Sequence, residues 1–203
     1  MGKRIDRIAA VVDEHVAVAQ STRAELLPDV EEFAAALCKA LGAGHKLVVF
    51  GNGGSAADAQ HFAAELTGHF ATDRGPLPAV ALTVDTSALT AIANDYGYAD
   101  VFARQATALC GPGDIVVAIS TSGNAESVTR GVEAAKARGA VTWGFTGGSG
   151  GRLREIADHS IVVPSSEIAR IQEMHITIIH AVCAVIDDWV AESGGPGGAQ
   201  PAR

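Results

Sequence analysis

The chain has 203 residues, 48% of them hydrophobic and 19% charged, with a formal net charge of −8. That length predicts one domain with a large core, or one domain with appended helices. The acidic balance argues against a nucleic-acid surface, which is normally basic, while leaving room for a local basic pocket. The N-terminus has no apolar signal core, and no uninterrupted apolar run nears the roughly 18 residues of a membrane span. The expectation is a cytoplasmic protein without membrane or nucleic-acid partners. Cys38, Cys110 and Cys183 are far apart and lack CxxC spacing, so they read as buried packing residues.

Ile5, Ile8, Val12 and Val16 recur at helical spacing between charged residues. Leu27-Pro28-Asp29 starts a second helix, because Pro suits a first turn, and Gly42 and Gly44 end it. This pair, about residues 1–44, exceeds a minimal sheet domain. It is expected to cover a sheet edge or to pair with another subunit. Near-continuous apolar runs then predict strands at 46–50, 79–83, 115–119, 141–146 and 159–163. Helical patterns lie between most of them, including 55–66 and 126–138. Such alternation indicates an α/β three-layer sandwich, a five-stranded parallel sheet covered on both faces. A last helix is expected over about 167–191. Residues 1–192 then form a single domain, and 193–203, rich in glycine, read as a flexible tail.

The run Ile119-Ser120-Thr121-Ser122-Gly123-Asn124 joins the third strand to a helix. Three hydroxyls, free backbone amides and a helix N-terminus together suit an anion, most often phosphate. The plainer reading is helix capping. The first strand ends in Gly51-Asn52-Gly53-Gly54-Ser55, neither a Walker loop nor a dinucleotide fingerprint. It is either a tight turn or a second ligand loop, with Asn52 orienting a sugar hydroxyl. Both loops fall at the carboxyl edge of the sheet, where open α/β sheets bind ligands.

His61 and Glu65 stand one helical turn apart and share a face, as an exposed pair or as half of a divalent metal site. In the last helix Gln172, Ile176 and His180 share a face. Gln172 and His180 are about 12 Å apart along an ideal helix, so they reach one ion only by leaning together. A core histidine bonded to a carbonyl is the plain alternative for His180, and His175 reads as structural. Asn94 and Asp95 either bond sugar hydroxyls or shape a turn. Thr146-Gly147-Gly148-Ser149-Gly150-Gly151 is compatible with turn chemistry alone.

Taken in order and spacing, these blocks resemble the sugar isomerase (SIS) domain superfamily and, within it, the phosphoheptose isomerases. The pieces that carry the likeness are the glycine loop, His61 to Gly68, Ala93-Asn94-Asp95, Ile119 to Asn124, and Arg170-Ile171-Gln172-Glu173 with His180. The resemblance implies a flavodoxin-like sheet, a homotetramer, and conversion of sedoheptulose 7-phosphate to D-glycero-D-manno-heptose 7-phosphate. It implies that Ser120, Thr121 and Ser122 hold the phosphate, and that Asn52, Gly53, Gly54, Ser55, Asn94, Asp95 and Gln172 line the substrate. Glu65 and His180 would be the acid–base pair, with Glu65 also lining the substrate. His61, Glu65, Gln172 and His180 would hold one zinc ion per subunit. Ala125 and Ala169 depart from the family pattern. A non-catalytic SIS protein that associates with the replication initiator is the alternative; such relatives lack the acid–base pair.

Overall fold

The protein is described here from a computed structural model covering residues 2–195. The predicted tail beyond Gly195 lies outside the described residues. Two long helices open the chain, α1 (Lys3–Glu25) and α2 (Leu27–Gly42). Five strands follow, β1 (Leu47–Gly51), β2 (Ala79–Ala81), β3 (Ile115–Ile119), β4 (Val141–Gly147) and β5 (His159–Val163). Between them run α3 (Gly54–Thr67), α4 (Thr86–Tyr96), α5 (Val101–Leu109), α6 (Glu126–Ala137) and the short α7 (Gly151–Ile156), and α8 (Ile168–Ser193) closes the fold.

All strand pairs are parallel, in the order β2-β1-β3-β4-β5. Alternate strand residues point to opposite faces, so the sheet feeds two cores. Leu47, Val49, Val117, Trp143, Phe145 and Ile161 pack with α2, α3 and α8. Val48, Phe50, Val116 and Ala118 pack with α5, α6 and α7. This is the expected three-layer sandwich. Phe33 of α2 is fully buried, its ring 5.0 Å from Trp143 and 5.2 Å from Phe145. Truncating it to Ala is expected to cost about 3–5 kcal/mol.

α2 covers the sheet, whereas Ile5, Ile8, Val12 and Val16 of α1 are all exposed by about half or more. The periodic stripe on α1 is therefore not part of the core. α8 is long and apolar enough by length and composition to span a membrane. Its apolar face is committed instead to the sheet through Ile171, Met174, Ile178 and Ile179. Cys38, Cys110 and Cys183 are free and buried, as expected.

Candidate active site

The strand order reverses direction between β1 and β3. Open parallel sheets leave a crevice at that point, outside the carboxyl ends of the strands. Gly51 pairs with Ile119 across it, so Asn52 and Ser120 leave the sheet side by side. The two loops predicted to share one edge do so.

The hydroxyl turn is held from three sides. Ser120 is buried and donates its amide to Phe145 O at 2.9 Å. The Gly123 amide closes the turn onto Ser120 O at 3.0 Å. Leu153 donates to Gly123 O at 2.8 Å, and the Arg152 amide donates to Asn124 Oδ1 at 3.0 Å. The glycine stretch after β4 is thus more than a turn of its own, since the hydroxyl turn is built against it. Thr121 and Ser122 stay at least partly open, ahead of the α6 N-terminus. Ala125 precedes that helix with no side-chain cap.

Asn52 is fixed by two partners. Its Nδ2 donates to Ser127 Oγ at 2.9 Å, and Tyr98 OH donates to its Oδ1 at 2.8 Å. Ser127 is buried and Tyr98 exposed. Neither was singled out from the sequence, where a lone Tyr after Gly97 and a Ser in a helix carry no signal. Ser55 is buried beneath the glycine loop, while Gly53 and Gly54 are exposed. Asn94 and Asp95 lie at the end of α4, exposed, with Asn94 Nδ2 donating to Asp95 Oδ1 at 2.8 Å. They belong to a helix, so the turn, one of the two readings of these residues, is not what they form.

α3 and α8 run side by side in the same direction and carry the remaining candidates. At their start the Gln172 carboxamide lies over Gly54, where a Cβ would come 1.8 Å from its Nε2. A side chain there would have to push the Gln172 carboxamide aside. Gln172 also neighbours Asp58, a buried carboxylate one turn before His61. Burial raises the Asp58 carboxyl above its ordinary range, against the opposing pull of Gln172 and His61. Its place at i−3 from His61 was the legible signal for it. Further along, His61 Nε2 lies 2.8 Å from His180 Nε2 and 3.2 Å from Glu65 Oε1. The Phe70 ring sits 5.5 Å from the His180 ring.

His180 therefore meets another imidazole, and the carbonyl-bonded core histidine is its neighbour on α8. His175 is fully buried with Nε2 3.2 Å from Thr146 O, and burial pushes its pKa down to about 4.

Two imidazoles and a carboxylate are a donor set that suits a divalent zinc-like ion. Among the described residues, however, no group of three or more His, Cys, Asp and Glu side chains is spaced as ligands around an ion. The donors of His61, His180 and Glu65 meet one another directly. The Gln172 carboxamide is placed a level earlier, over Gly54. The donor chemistry fits the group; the ligand spacing is only partly made.

A doubly wound parallel sheet with a hydroxyl turn and a glycine loop at its switch point, and a His–Glu–His cluster between α3 and α8, defines an α/β protein suited to a small anionic ligand. The comparisons give the family. A SIS domain model matches residues 12–147. A "Probable phosphoheptose isomerase" of Thermoplasma acidophilum is 55% identical over 83% of this chain and 94% of its own length. The phosphoheptose isomerase structure from Francisella tularensis superposes with a TM-score of 0.89 at 38% identity, covering 92% of this chain and all of that one. The one from Neisseria gonorrhoeae gives 0.87 at 44%, with 92% of this chain and 100% of that one covered. The chain belongs to the SIS domain family and, within it, to the phosphoheptose isomerases.

Proposed function

We propose that this chain isomerises sedoheptulose 7-phosphate to D-glycero-D-manno-heptose 7-phosphate, an early step toward nucleotide-activated heptoses. The observation that carries the reading is the meeting of His61, Glu65 and His180 between α3 and α8, in a chain of this family. Ser120, Thr121 and Ser122 hold the phosphate, helped by the first amides of α6. Asn52, Gly53, Gly54, Ser55, Asn94, Asp95 and Gln172 line the sugar.

Ketose–aldose exchange needs a base at carbon and an acid at oxygen. Glu65 removes the C1 proton while His180 protonates the C2 oxygen, giving the enediol. Glu65 then returns its proton to C2, and His180 takes the proton from the C1 oxygen. Each such group typically contributes about 10²–10⁴-fold. The zinc ion implied by the family would be held by His61, Glu65, Gln172 and His180, and when bound it would polarise the substrate oxygens as a Lewis acid.

The exposed α1 stripe supports a homotetramer, since a free apolar face of that length is costly in water. An apolar groove between α2 and α8, lined by Leu27, Val30, Ala34, Ala181 and Val185, supports the same reading. Free, buried thiols and a phosphorylated substrate support a cytoplasmic setting.

The test is product formation from sedoheptulose 7-phosphate, followed by NMR, with the Glu65→Gln protein beside it. Turnover lost in the folded variant supports the assignment, and near-normal turnover there sinks it. The second reading is a non-catalytic SIS protein, a scaffold that associates with the replication initiator. The presence of both Glu65 and His180 weighs against it. No turnover by the unmodified protein, with tight binding to a protein partner, would favour it.

A further inference from the structure

The candidate acid–base pair sits on two helices, and the contact that ties their far ends together involves neither residue's side chain. Arg74, in the loop after α3, is buried with its side chain 3% exposed, and its partner Asp187 on α8 is 5% exposed. Arg74 Nε donates to Asp187 Oδ1 at 2.7 Å. Its Nη2 donates to the backbone carbonyl of Glu65 at 2.8 Å, and its Nη1 to those of Leu66 at 3.0 Å and Gly75 at 3.2 Å. The last carbonyls of a helix lack partners within it, and a cation there also suits the helix dipole. The guanidinium therefore caps the turn of α3 that carries Glu65. The other oxygen, Asp187 Oδ2, accepts the amides of Ala71 at 3.0 Å and Thr72 at 2.9 Å. That fixes the loop whose Phe70 lies against His180. Asp187 stands two helical turns after His180, on the same side of α8.

We propose that Arg74 and Asp187 are positioning residues that set the separation of Glu65 and His180. They join the Glu65 turn, the Phe70 loop and the His180 helix through one buried ion pair. The proposal rests on the reading of Glu65 and His180 as the acid–base pair. Displacements near 1 Å at reacting groups can cost on the order of 10²-fold in rate. The phosphate turn lies on other elements, so substrate grip should change far less.

The experiment measures kcat and KM for sedoheptulose 7-phosphate, and inhibition by inorganic phosphate, in Asp187→Asn, Arg74→Ala and Arg74→Lys. Rates are taken per folded molecule, well below each melting temperature. Asp187→Asn keeps the size of the side chain and an acceptor for the loop amides, so it decides the matter if Arg74→Ala does not fold. The expected result is a fall in kcat of about tenfold or more, with KM and phosphate inhibition within about threefold of the unmodified protein. Arg74→Lys restores part of what Arg74→Ala loses. A normal kcat per folded molecule in Asp187→Asn, with only a lower melting temperature, makes the pair structural and overturns the proposal. Glu65→Gln is run alongside to separate the two failures. If that variant is inactive and Asp187→Asn has normal kcat, the positioning role alone falls. If Glu65→Gln turns over normally, the acid–base reading falls and the proposal falls with it.

Discussion

His61 Nε2 and His180 Nε2 lie 2.8 Å apart, on helices separated by more than a hundred residues of chain. One ring must present an N–H and the other a lone pair, because two like nitrogens repel at that distance. A metal ion asks for lone pairs from both. Binding one would therefore exchange the hydrogen bond between the rings for two coordinate bonds, beside the Glu65 carboxylate, whose Oε1 lies 3.2 Å from His61 Nε2.

Zinc added to protein stripped with a chelator is accordingly expected to raise the melting temperature. At a hundredfold over Kd the gain is about 2.7 kcal/mol, or very roughly 5–10 °C for a chain of this size. His61→Ala, which removes the ligand at a half-buried position, should abolish the rise while leaving the fold intact. Metal content measured in parallel decides the matter. A stripped protein that neither binds zinc nor melts higher in its presence would exclude His61 and His180 as ligands.

Tyr98 offers a milder change. Its hydroxyl is exposed and holds Asn52 Oδ1, while buried Ser127 holds Asn52 Nδ2. Losing one such hydrogen bond costs about 1 kcal/mol. Tyr98→Phe is expected to raise KM about three- to fivefold by that energy, with stability unchanged. Ser127→Ala should do more, because it leaves the Asn52 amide free to rotate. Steady-state kinetics on both variants, with urea melts as control, check this. A larger effect from Tyr98→Phe than from Ser127→Ala would contradict the assignment.

Much of this arrangement was legible in the chain. β3 and β5 begin and end where their apolar runs do. The shared edge of the Asn52 and Ser120 loops followed from strand alternation alone. β2 is shorter than its run, pairing with β1 only over Ala79–Ala81. The stripe on α1 has the period of a core helix and is nevertheless exposed, since periodicity marks a face without naming what covers it. Asn94 and Asp95 resemble turn residues but end a helix, with Gly97 just beyond supplying the stop. Arg74, Asp187 and Tyr98 were out of reach, because their roles depend on partners 113 or 46 positions away and on no local spacing.

Gly123 tests the brace under the phosphate turn. Its φ is +66°, and a Cβ there would come 1.9 Å from Gly150 O and 2.9 Å from Thr146 Oγ1. Backbone cannot yield as a flexible side chain does, so Gly123→Ala must push the turn away from the loop behind it. The strain is worth roughly 1–3 kcal/mol. KM is expected to rise about tenfold or more, since 1.4 kcal/mol is a factor of ten, and inhibition by inorganic phosphate should weaken in step. Unchanged phosphate inhibition in a folded Gly123→Ala protein would place the anion elsewhere.

His175 gives the protein one specific source of acid sensitivity. It is fully buried, its ordinary pKa of 6.5 is pushed down to about 4 by burial, and one bond to Thr146 O opposes the shift only in part. The folded state therefore keeps the ring neutral, while the unfolded chain takes up a proton below its ordinary value. The His175 contribution is full above about pH 6.5 and falls as the pH drops from there toward about 4, because at this ring only the unfolded state gains a proton in that window. The shift corresponds to about 3 kcal/mol at the low end. Urea unfolding between pH 7.5 and 4.5 should show this slope. His175→Gln, which cannot titrate, should be less stable at neutral pH for want of packing, yet flatter across the window. A variant with the same slope as the unmodified protein would assign the acid sensitivity to other groups.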